Sequence, residues 1–127
     1  MDEKRAFLTE RAAIIGGPYS QAVIHKGIVY VSGQGAIDPC TNRLSLGTIE
    51  EEAGLAIENM KIILEDAGSS LEKVLQVTVY LINMKEYVRF NNVYKRYFKG
   101  VLPARTCIEA AGLPLGIRLE MDAIAYT

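Results

Sequence analysis

The hydrophobic pattern of the chain changes its period several times, and the clearest stretch has the period of an α-helix. Thr48 stands three residues before Glu51, which is the spacing of a capping box at a helix N-terminus. The acidic run Glu50 to Glu52 is expected to be solvated and to complement the helix dipole. Gly68 follows the last apolar position and predicts a left-handed C-cap. The apolar residues recur at steps of three and four, which predicts one buried face formed by Ile49, Ala53, Ala56, Met60, Ile63 and Ala67.

A second stretch of helical period runs from about Met84 to Phe98, with Asn83 in position to cap it. Asn91 places an amide on the apolar face of this helix. It is interpreted either as a residue at the edge of that face or as a hydrogen-bonding group for a substrate or an interface. The face itself is aromatic and consists of Tyr87, Phe90, Tyr94, Tyr97 and Phe98.

Strand character begins with two short apolar segments on either side of Gly27. Gln21 to Lys26 and Ile28 to Val31 alternate as half-buried strands do, and the glycine between them predicts a hairpin. The second strand is expected to end at Ser32 and Gly33, small residues that let other groups approach the backbone closely.

Three further strands are predicted in the second half of the chain. Val74 to Ile82 is apolar on both alternating sets of positions, so both of its faces should be covered. The last two strands lie near Ala104 to Ala110 and Ile117 to Ala125, joined by a loop from Gly112 to Gly116. They are expected to pair as a hairpin.

The order of elements predicts an α+β fold. Strands, helix, strand, helix and two strands form a mixed β-sheet with two helices packed on one face. Nothing in the chain remains to cover the other face, which is apolar, so identical copies of the chain are expected to cover it.

Composition narrows the class of protein. The 127 residues are half hydrophobic and 23% charged, which predicts one globular domain over residues 1–127. The net charge is −1, with no block of either sign. Binding to nucleic acid rests largely on neutralising phosphate charge, so a nucleic-acid partner is not expected.

Cysteine and histidine are too few for a metal centre. Cys40, Cys107 and the single histidine, His25, provide neither a disulfide framework nor a zinc pattern. The start, MDEKRAFLTE, lacks the apolar run of a signal peptide, and no stretch reaches the length of a membrane span. We therefore expect a cytoplasmic protein with no membrane association.

Arg105 is the strongest candidate for a residue that binds a ligand or takes part in a reaction. It stands at the start of a predicted strand, directly after Pro103 and Ala104. One interpretation is a solvated arginine at the edge of the sheet. The other is a planar fork that holds a carboxylate through two parallel hydrogen bonds.

Glu120 favours the functional interpretation of the arginine. If the last two strands form a hairpin, Glu120 lies opposite Arg105 or one pair away, on the same face. The pair is then either a cross-strand ion pair of little energetic value or an arginine held in position for a ligand.

Two further residues carry weaker signals. Cys107 shares the face of Arg105 and is interpreted as a small buried hydrophobe, because no basic neighbour in sequence would make it a thiolate. Tyr19 lies in an irregular segment, Gly16 to Ser20, either as a packing residue in a turn or as part of a site.

Several motifs taken together resemble the YjgF/YER057c/UK114 family, also called the RidA family and formerly the endoribonuclease L-PSP family. They occur in the family's order and span nearly the whole chain, and the last of them is close to a family signature. The matching segments are GGPYSQA (16–22), VYVSGQ (29–34), IDP (37–39), VTVYL (77–81), FNNVY (90–94) and PARTCIEAAGLPLGIRLEMDAIA (103–125).

This resemblance implies a chorismate-mutase-like α+β fold that assembles as a homotrimer, with active sites between subunits. It implies hydrolysis of 2-imino acids, such as 2-iminobutanoate and 2-iminopropanoate, to 2-oxo acids and ammonia, and hence detoxification of reactive imines. No metal or organic cofactor is implied.

The resemblance also implies roles for individual residues. Arg105 would bind the substrate carboxylate, and Glu120 would position or activate the attacking water. Other family positions that line the pocket are matched here by Tyr19, Ser32, Gly33, Asn91 and Cys107.

Two other functions stay open at this point. An endoribonuclease or translation inhibitor would need a local basic patch, for which Lys95, Arg96 and Lys99 are the available residues. A non-catalytic protein that binds small carboxylates, or a chaperone-like oligomer, would use the same arginine without turnover. Glu120 favours the enzyme, since binding a carboxylate requires no second acid.

Overall fold

The computed structural model describes residues 3–14 and 16–127. In that part of the chain, short 3₁₀ turns cover Leu71–Lys73, Met84–Glu86 and Pro114–Gly116. The strands are β1 (Arg5–Phe7), β2 (Ala22–His25), β3 (Ile28–Gln34), β4 (Ile37–Asp38), β5 (Arg43–Leu44), β6 (Val74–Leu81), β7 (Ala104–Glu109) and β8 (Leu119–Tyr126), and the helices are α1 (Ile49–Asp66) and α2 (Tyr87–Tyr97).

Six strands form one mixed sheet in the order β1-β2-β3-β8-β6-β7, while β4 and β5 form a separate two-stranded ribbon. Neighbours in the large sheet are antiparallel except β6 and β7, which are parallel. Both helices pack against each other on one face of this sheet and bury the main hydrophobic core there. The predicted α+β architecture is confirmed.

Helix α1 has the predicted signals at both ends. Thr48 accepts a hydrogen bond from the backbone of Glu51, and the Glu51 side chain accepts one from the Thr48 backbone. At the other end, Gly68 has a φ of +89°. The N–H groups of Gly68 and Ser69 donate to the carbonyls of Glu65 and Leu64, so a Schellman motif closes the helix.

The second helix begins later than its sequence pattern indicates. Asn83 does act as a cap, by accepting from the backbone N–H of Lys85, but the turn that follows is 3₁₀ and α2 starts at Tyr87. The core receives Phe90, Val93, Tyr94 and Phe98, whereas Tyr87 stays 37% exposed. Tyr87 is therefore left available for contacts outside the core.

The first hairpin is confirmed, but its second strand continues beyond the expected end. Lys26 and Gly27 form its turn with positive φ angles of 50° and 77°. Strand β3 then runs through Ser32 and Gly33 to Gln34. A β-bulge between Val31 and Gln34 shifts its register against β8. The bulge accommodates the small residues inside the strand.

The predicted hairpin between the last two strands is wrong. Strand β7 pairs in parallel with β6 and forms the edge of the sheet, because α2 carries the chain back over the core between them. Strand β8 lies between β3 and β6, where its alternating buried residues contact the helices. The two strands share the sheet but are not neighbours.

This topology also overturns the expectation that Arg105 and Glu120 share a face. Arg105 pairs with Val77, which is buried under the helices. Glu120 pairs with Tyr80, whose side chain lies on the opposite face. Val77 and Tyr80 are three residues apart on β6, so Arg105 and Glu120 lie on opposite faces of the sheet, on strands that β6 separates by about 10 Å.

No element of residues 3–14 and 16–127 covers the second face of the large sheet, as expected from the order of elements. We call this surface the open face; it carries Glu120 and Asp122 together with apolar groups. Tyr30 is 45% exposed there and Ile108 is 44% exposed. A sheet with such a face is typical of subunits that associate.

Candidate functional site

Arg105 projects from the edge strand β7 toward the aromatic face of α2. Its guanidinium carbon lies 4.7 Å from the ring centroid of Tyr94, 5.6 Å from that of Tyr87 and 5.7 Å from that of Phe90. One guanidinium nitrogen, Nη2, donates a hydrogen bond of 3.0 Å to the Tyr87 hydroxyl. Positions 87, 90 and 94 follow the helical repeat, so one face of α2 supplies all three rings.

The positive charge of Arg105 is not balanced by a carboxylate of the described residues. Within the described parts of the chain, no acidic side chain forms an ion pair with this half-buried arginine, whereas the other arginines without an ion pair are exposed. Aromatic rings stabilise the cation but leave most of its N–H donors unused. Arg105 is therefore arranged to receive an anion.

Two polar atoms near this arginine are buried without a hydrogen-bond partner in the described structure, namely Asn91 Oδ1 and the Tyr94 hydroxyl. Both residues line the same cavity of about 350 Å³ as Arg105. Burial raises the pKa of Tyr94 to about 12, although the charge of Arg105 opposes the shift, so this phenol is neutral at physiological pH. Buried polar atoms normally have partners, so these two indicate a missing ligand or a missing subunit.

Cys107 lies two residues after Arg105 on the same side of β7 and packs against the hydrophobic core. Burial raises the pKa of its thiol, and the nearby charge of Arg105 offsets only part of that shift. The sulfur is therefore a thiol rather than a thiolate at physiological pH, as the sequence indicated. We call Arg105, Asn91, Tyr94 and Cys107 the arginine cluster.

Glu120 belongs to a second cluster on the open face of the sheet. Its side chain lies across the β3 bulge, where a Cβ added to Gly33 would come within 2.7 Å of the Glu120 Cδ. Only glycine leaves room for the carboxyl group there. Burial raises the pKa of Glu120, and the negative charge of Asp122 raises it further. The carboxylate thus holds a proton more readily than an exposed glutamate does.

Tyr19 and Ser32 stand beside Glu120 and Gly33. Ser32 Oγ donates a 2.6 Å hydrogen bond to the carbonyl of Ser20, which fixes the segment that carries Tyr19. The Tyr19 ring is 52% exposed and borders a mainly apolar cavity of about 370 Å³ next to Glu120. We call Tyr19, Ser32, Gly33 and Glu120 the glutamate cluster.

The structure therefore brings the sequence-derived residues together in two groups, and a single chain does not join them. Arg105, Asn91 and Cys107 are on the helix face at the sheet edge, while the glutamate cluster is on the open face. The sequence pattern placed Tyr87 and Tyr94 on the apolar face of α2 but did not predict their contacts with Arg105. Their spacing along one helix face was the available signal.

A buried carboxylate that supports the glutamate cluster was also missed. Glu52 was expected to be solvated, but it is 1% exposed. It accepts hydrogen bonds from the backbone N–H groups of Gly47 at 3.1 Å and Arg118 at 2.8 Å. The Arg118 side chain in turn lies 3.3 Å from Glu86. This network fixes the loop that leads into β8 two residues before Glu120.

Residues 3–14 and 16–127 contain neither a metal-binding cluster nor a membrane-spanning helix. No group of three or more His, Cys, Asp or Glu side chains there is arranged to hold a metal ion. Neither helix in that part of the chain is long and apolar enough to cross a membrane.

Comparison with known proteins gives consistent matches over nearly the whole chain. The family model described as "Endoribonuclease L-PSP" matches residues 9–127. A Pyrococcus abyssi protein of the RutC family is 44% identical over 97% of both chains. The mouse protein named 2-iminobutanoate/2-iminopropanoate deaminase is 41% identical over 96% of this chain and 90% of its own. The solved structure of E. coli TdcF with bound serine superposes with a TM-score of 0.91 at 32% identity, covering 97% of this chain and 98% of that one.

Proposed function

Because the chain belongs to the endoribonuclease L-PSP family, also known as the YjgF or RidA family, we propose that it hydrolyses reactive 2-imino acids. The products are the corresponding 2-oxo acid and ammonia, formed in the cytoplasm as a detoxification step. The observation that carries the proposal is Arg105, a cation within an aromatic cage that has no carboxylate partner among the described residues. A small carboxylate matches the geometry of such a guanidinium fork, which can hold it through two parallel hydrogen bonds.

Two relatives support this choice of ligand. TdcF binds serine, an amino acid whose carboxylate group is the one that a 2-imino acid also carries. The mouse relative is named for the deamination of 2-iminobutanoate and 2-iminopropanoate, which are small carboxylates. Both cover nearly the whole of this chain, and in both cases the named ligand is small enough for a cavity of about 350 Å³.

We further propose that the active site forms between copies of the chain in a homotrimer. Arg105 and Glu120 lie on opposite faces of the sheet, so one chain cannot place both against a substrate of a few atoms. An adjoining subunit could bring its glutamate cluster to the arginine cluster of the first. The uncovered open face and the orphaned atoms of Asn91 and Tyr94 favour such an association.

In the proposed mechanism the protein orients the substrate and a water molecule and transfers protons between them. Arg105 holds the substrate carboxylate, which fixes the imine carbon beside Glu120 of the adjoining subunit. The Glu120 carboxylate takes a proton from water as the water oxygen bonds to that carbon and the C=N double bond becomes single. For a substrate in its protonated iminium form, Glu120 then returns this proton to the nitrogen, which becomes an –NH3+ leaving group. The hydroxyl group of the adduct gives its proton to Glu120 as the C=O bond forms and the C–N bond breaks, and ammonia leaves with the 2-oxo acid.

The direct test is an assay of imine hydrolysis by the wild-type protein. A threonine dehydratase generates 2-iminobutanoate in situ, and release of 2-oxobutanoate and ammonia is followed with and without the protein. Acceleration over the spontaneous rate is expected. If a trimeric preparation gives no acceleration with either 2-iminobutanoate or 2-iminopropanoate, the substrate assignment is wrong. A salt-dependent cleavage of RNA by the same preparation would then favour the ribonuclease alternative.

Removing the charge of Asp122 is expected to move the acidic limb of the pH–rate profile to lower pH. Burial and the charge of Asp122 both raise the pKa of Glu120, so an Asp122→Asn variant has a lower Glu120 pKa. A base acts only when deprotonated, and activity is lost as the pH falls through its pKa. The amide introduced by this substitution keeps an acceptor oxygen for the Tyr80 hydroxyl, which bonds Asp122 at 3.2 Å.

The measurement is kcat/KM across the acidic range, after subtraction of the uncatalysed rate. Glu65→Gln provides the control, because Glu65 is an exposed carboxylate on α1. An acidic limb that stays in place in Asp122→Asn would show that Glu120 is not the titrating base.

A further inference from the structure

We propose that the hydroxyl group of Tyr87 is a positioning group for the substrate-binding arginine. It fixes the rotation of the Arg105 guanidinium so that the remaining N–H donors face the carboxylate. This inference rests on the proposed role of Arg105 in binding a small carboxylate. The inference adds Tyr87 to the proposed substrate-binding site, whereas the sequence pattern placed this residue only on the apolar face of a helix.

The contacts of Tyr87 differ from those of a core residue. Its side chain is 37% exposed at the first position of α2, whereas Phe90 and Tyr94 on the same helix face are buried. The one hydrogen bond that its hydroxyl makes within the described residues is the 3.0 Å bond accepted from Arg105 Nη2. Packing alone does not require an oxygen at this position, because the ring of a phenylalanine would make the same cation–π contact with Arg105.

The geometry restrains an otherwise mobile side chain. The rings of Tyr94, Phe90 and Tyr87 hold the guanidinium carbon at 4.7 to 5.7 Å from their centroids. Contacts between a cation and ring faces leave the guanidinium free to rotate in its own plane. A hydrogen bond from one of its five N–H donors removes that freedom. Immobilising the group before the ligand arrives lowers the entropic cost of binding.

The chemistry also directs the remaining donors. Because Tyr87 accepts from Nη2, its own O–H hydrogen points away from the guanidinium and can donate to an oxygen of the same carboxylate. Among the described residues, Arg105 donates its hydrogen bond to Tyr87, while the Tyr94 hydroxyl lies close enough to the guanidinium for the charge of Arg105 to oppose the rise of its pKa. A carboxylate bound to this arginine therefore meets a planar fork with its orientation already fixed.

The test compares Tyr87→Phe with Tyr97→Phe. Both substitutions remove one phenolic oxygen from α2, but the Tyr97 hydroxyl donates to Glu58 at 3.5 Å rather than accepting from Arg105. Binding of 2-oxobutanoate, an unreactive carboxylate of the same size as the substrate, is measured by titration calorimetry on the assembled protein. Kinetics with 2-iminobutanoate give kcat and KM separately.

We expect Tyr87→Phe to raise the Kd for 2-oxobutanoate and the KM by roughly three- to tenfold, the cost of ordering one long side chain that is no longer held in place before the ligand binds. The kcat should change by less than about twofold, because the carboxylate is held equally in the ground and transition states. Tyr97→Phe should leave both constants unchanged. A residue that only stabilised the fold would not separate KM from kcat in this way.

The outcomes distinguish this inference from the proposed function. If Tyr87→Phe weakens 2-oxobutanoate binding although the wild type shows no turnover, the positioning role holds and the proposed reaction fails. If the wild type hydrolyses the imine and Tyr87→Phe binds and turns over equally well, the reaction holds and the positioning role is overturned. A wild type that binds no 2-oxobutanoate overturns the positioning role as well.

Discussion

Replacing Arg105 with alanine is expected to lower kcat/KM for 2-iminobutanoate by roughly 100- to 1,000-fold, the range found when one member of a buried, charged pair is removed. The substrate would lose its anchoring cation, and its carboxylate would face the rings of Tyr87, Phe90 and Tyr94 without a charge partner. The measurement is steady-state hydrolysis of the enzymatically generated imine, together with calorimetric binding of 2-oxobutanoate.

A second substitution shows whether charge alone is sufficient. Arg105→Lys keeps the positive charge but replaces the planar fork with a compact ammonium group, which cannot form two parallel hydrogen bonds to one carboxylate. We expect it to recover only a small part of the lost activity. Arg105 forms no ion pair within the described residues but contacts three rings of the fold, so the folding and assembly of both variants are measured before their kinetics are compared. Wild-type kinetics in a correctly assembled Arg105→Ala protein would exclude the arginine from the reaction.

Local structure could be predicted from the sequence because its signals lie within a few residues of one another. The capping box of Thr48 and Glu51 and the left-handed Gly68 are chemical requirements of helix ends, and both are present in the structure. The turn at Gly27 was likewise predictable from a local requirement, because glycine readily adopts the positive φ angle that this turn needs. The aromatic face of α2 was also readable, although its contact with Arg105 was not, because the periodicity of a helix does not identify its neighbours.

Strand order could not be predicted, for a physical reason. Alternation shows that β8 buries every second residue, but β7 and β8 would show this pattern equally well as a hairpin or as separated strands. The parallel pairing of β7 with β6 depends on how α2 packs over the core, which is a non-local property. This one error placed Arg105 and Glu120 on the same face.

The burial of individual acidic residues was the second property that could not be predicted from the sequence. Glu50, Glu51 and Glu52 are consecutive acidic residues at a helix start, and sequence composition treats them alike. In the structure Glu50 pairs with Arg89 at the surface, while Glu52 is buried beneath the loop that leads into β8. The difference arises from the 3.6-residue repeat of α1 and from the position of Arg118, which is distant in sequence. The network that supports the glutamate cluster is therefore visible only in three dimensions.

Replacing Glu120 with glutamine is expected to separate binding from turnover. The substitution keeps the shape of the side chain over Gly33 but removes the group that exchanges protons with water. Turnover of 2-iminobutanoate should fall by roughly 100- to 10,000-fold, the usual contribution of a general base. Binding of 2-oxobutanoate should stay within about twofold of the wild type, because the arginine cluster is intact. A loss of binding equal to that of Arg105→Ala would instead make Glu120 a binding residue.

Combining these two defective chains is expected to restore activity, because Arg105 and Glu120 of one chain lie on opposite faces of its sheet. Arg105→Ala and Glu120→Gln chains with different tags are co-expressed, and trimers containing both are purified. If each site takes its arginine from one subunit and its glutamate from the next, every mixed trimer has one intact site of three, and about a third of the wild-type rate returns. If both residues acted within one chain, every site would keep a defect and the mixed trimers would be as inactive as the single variants.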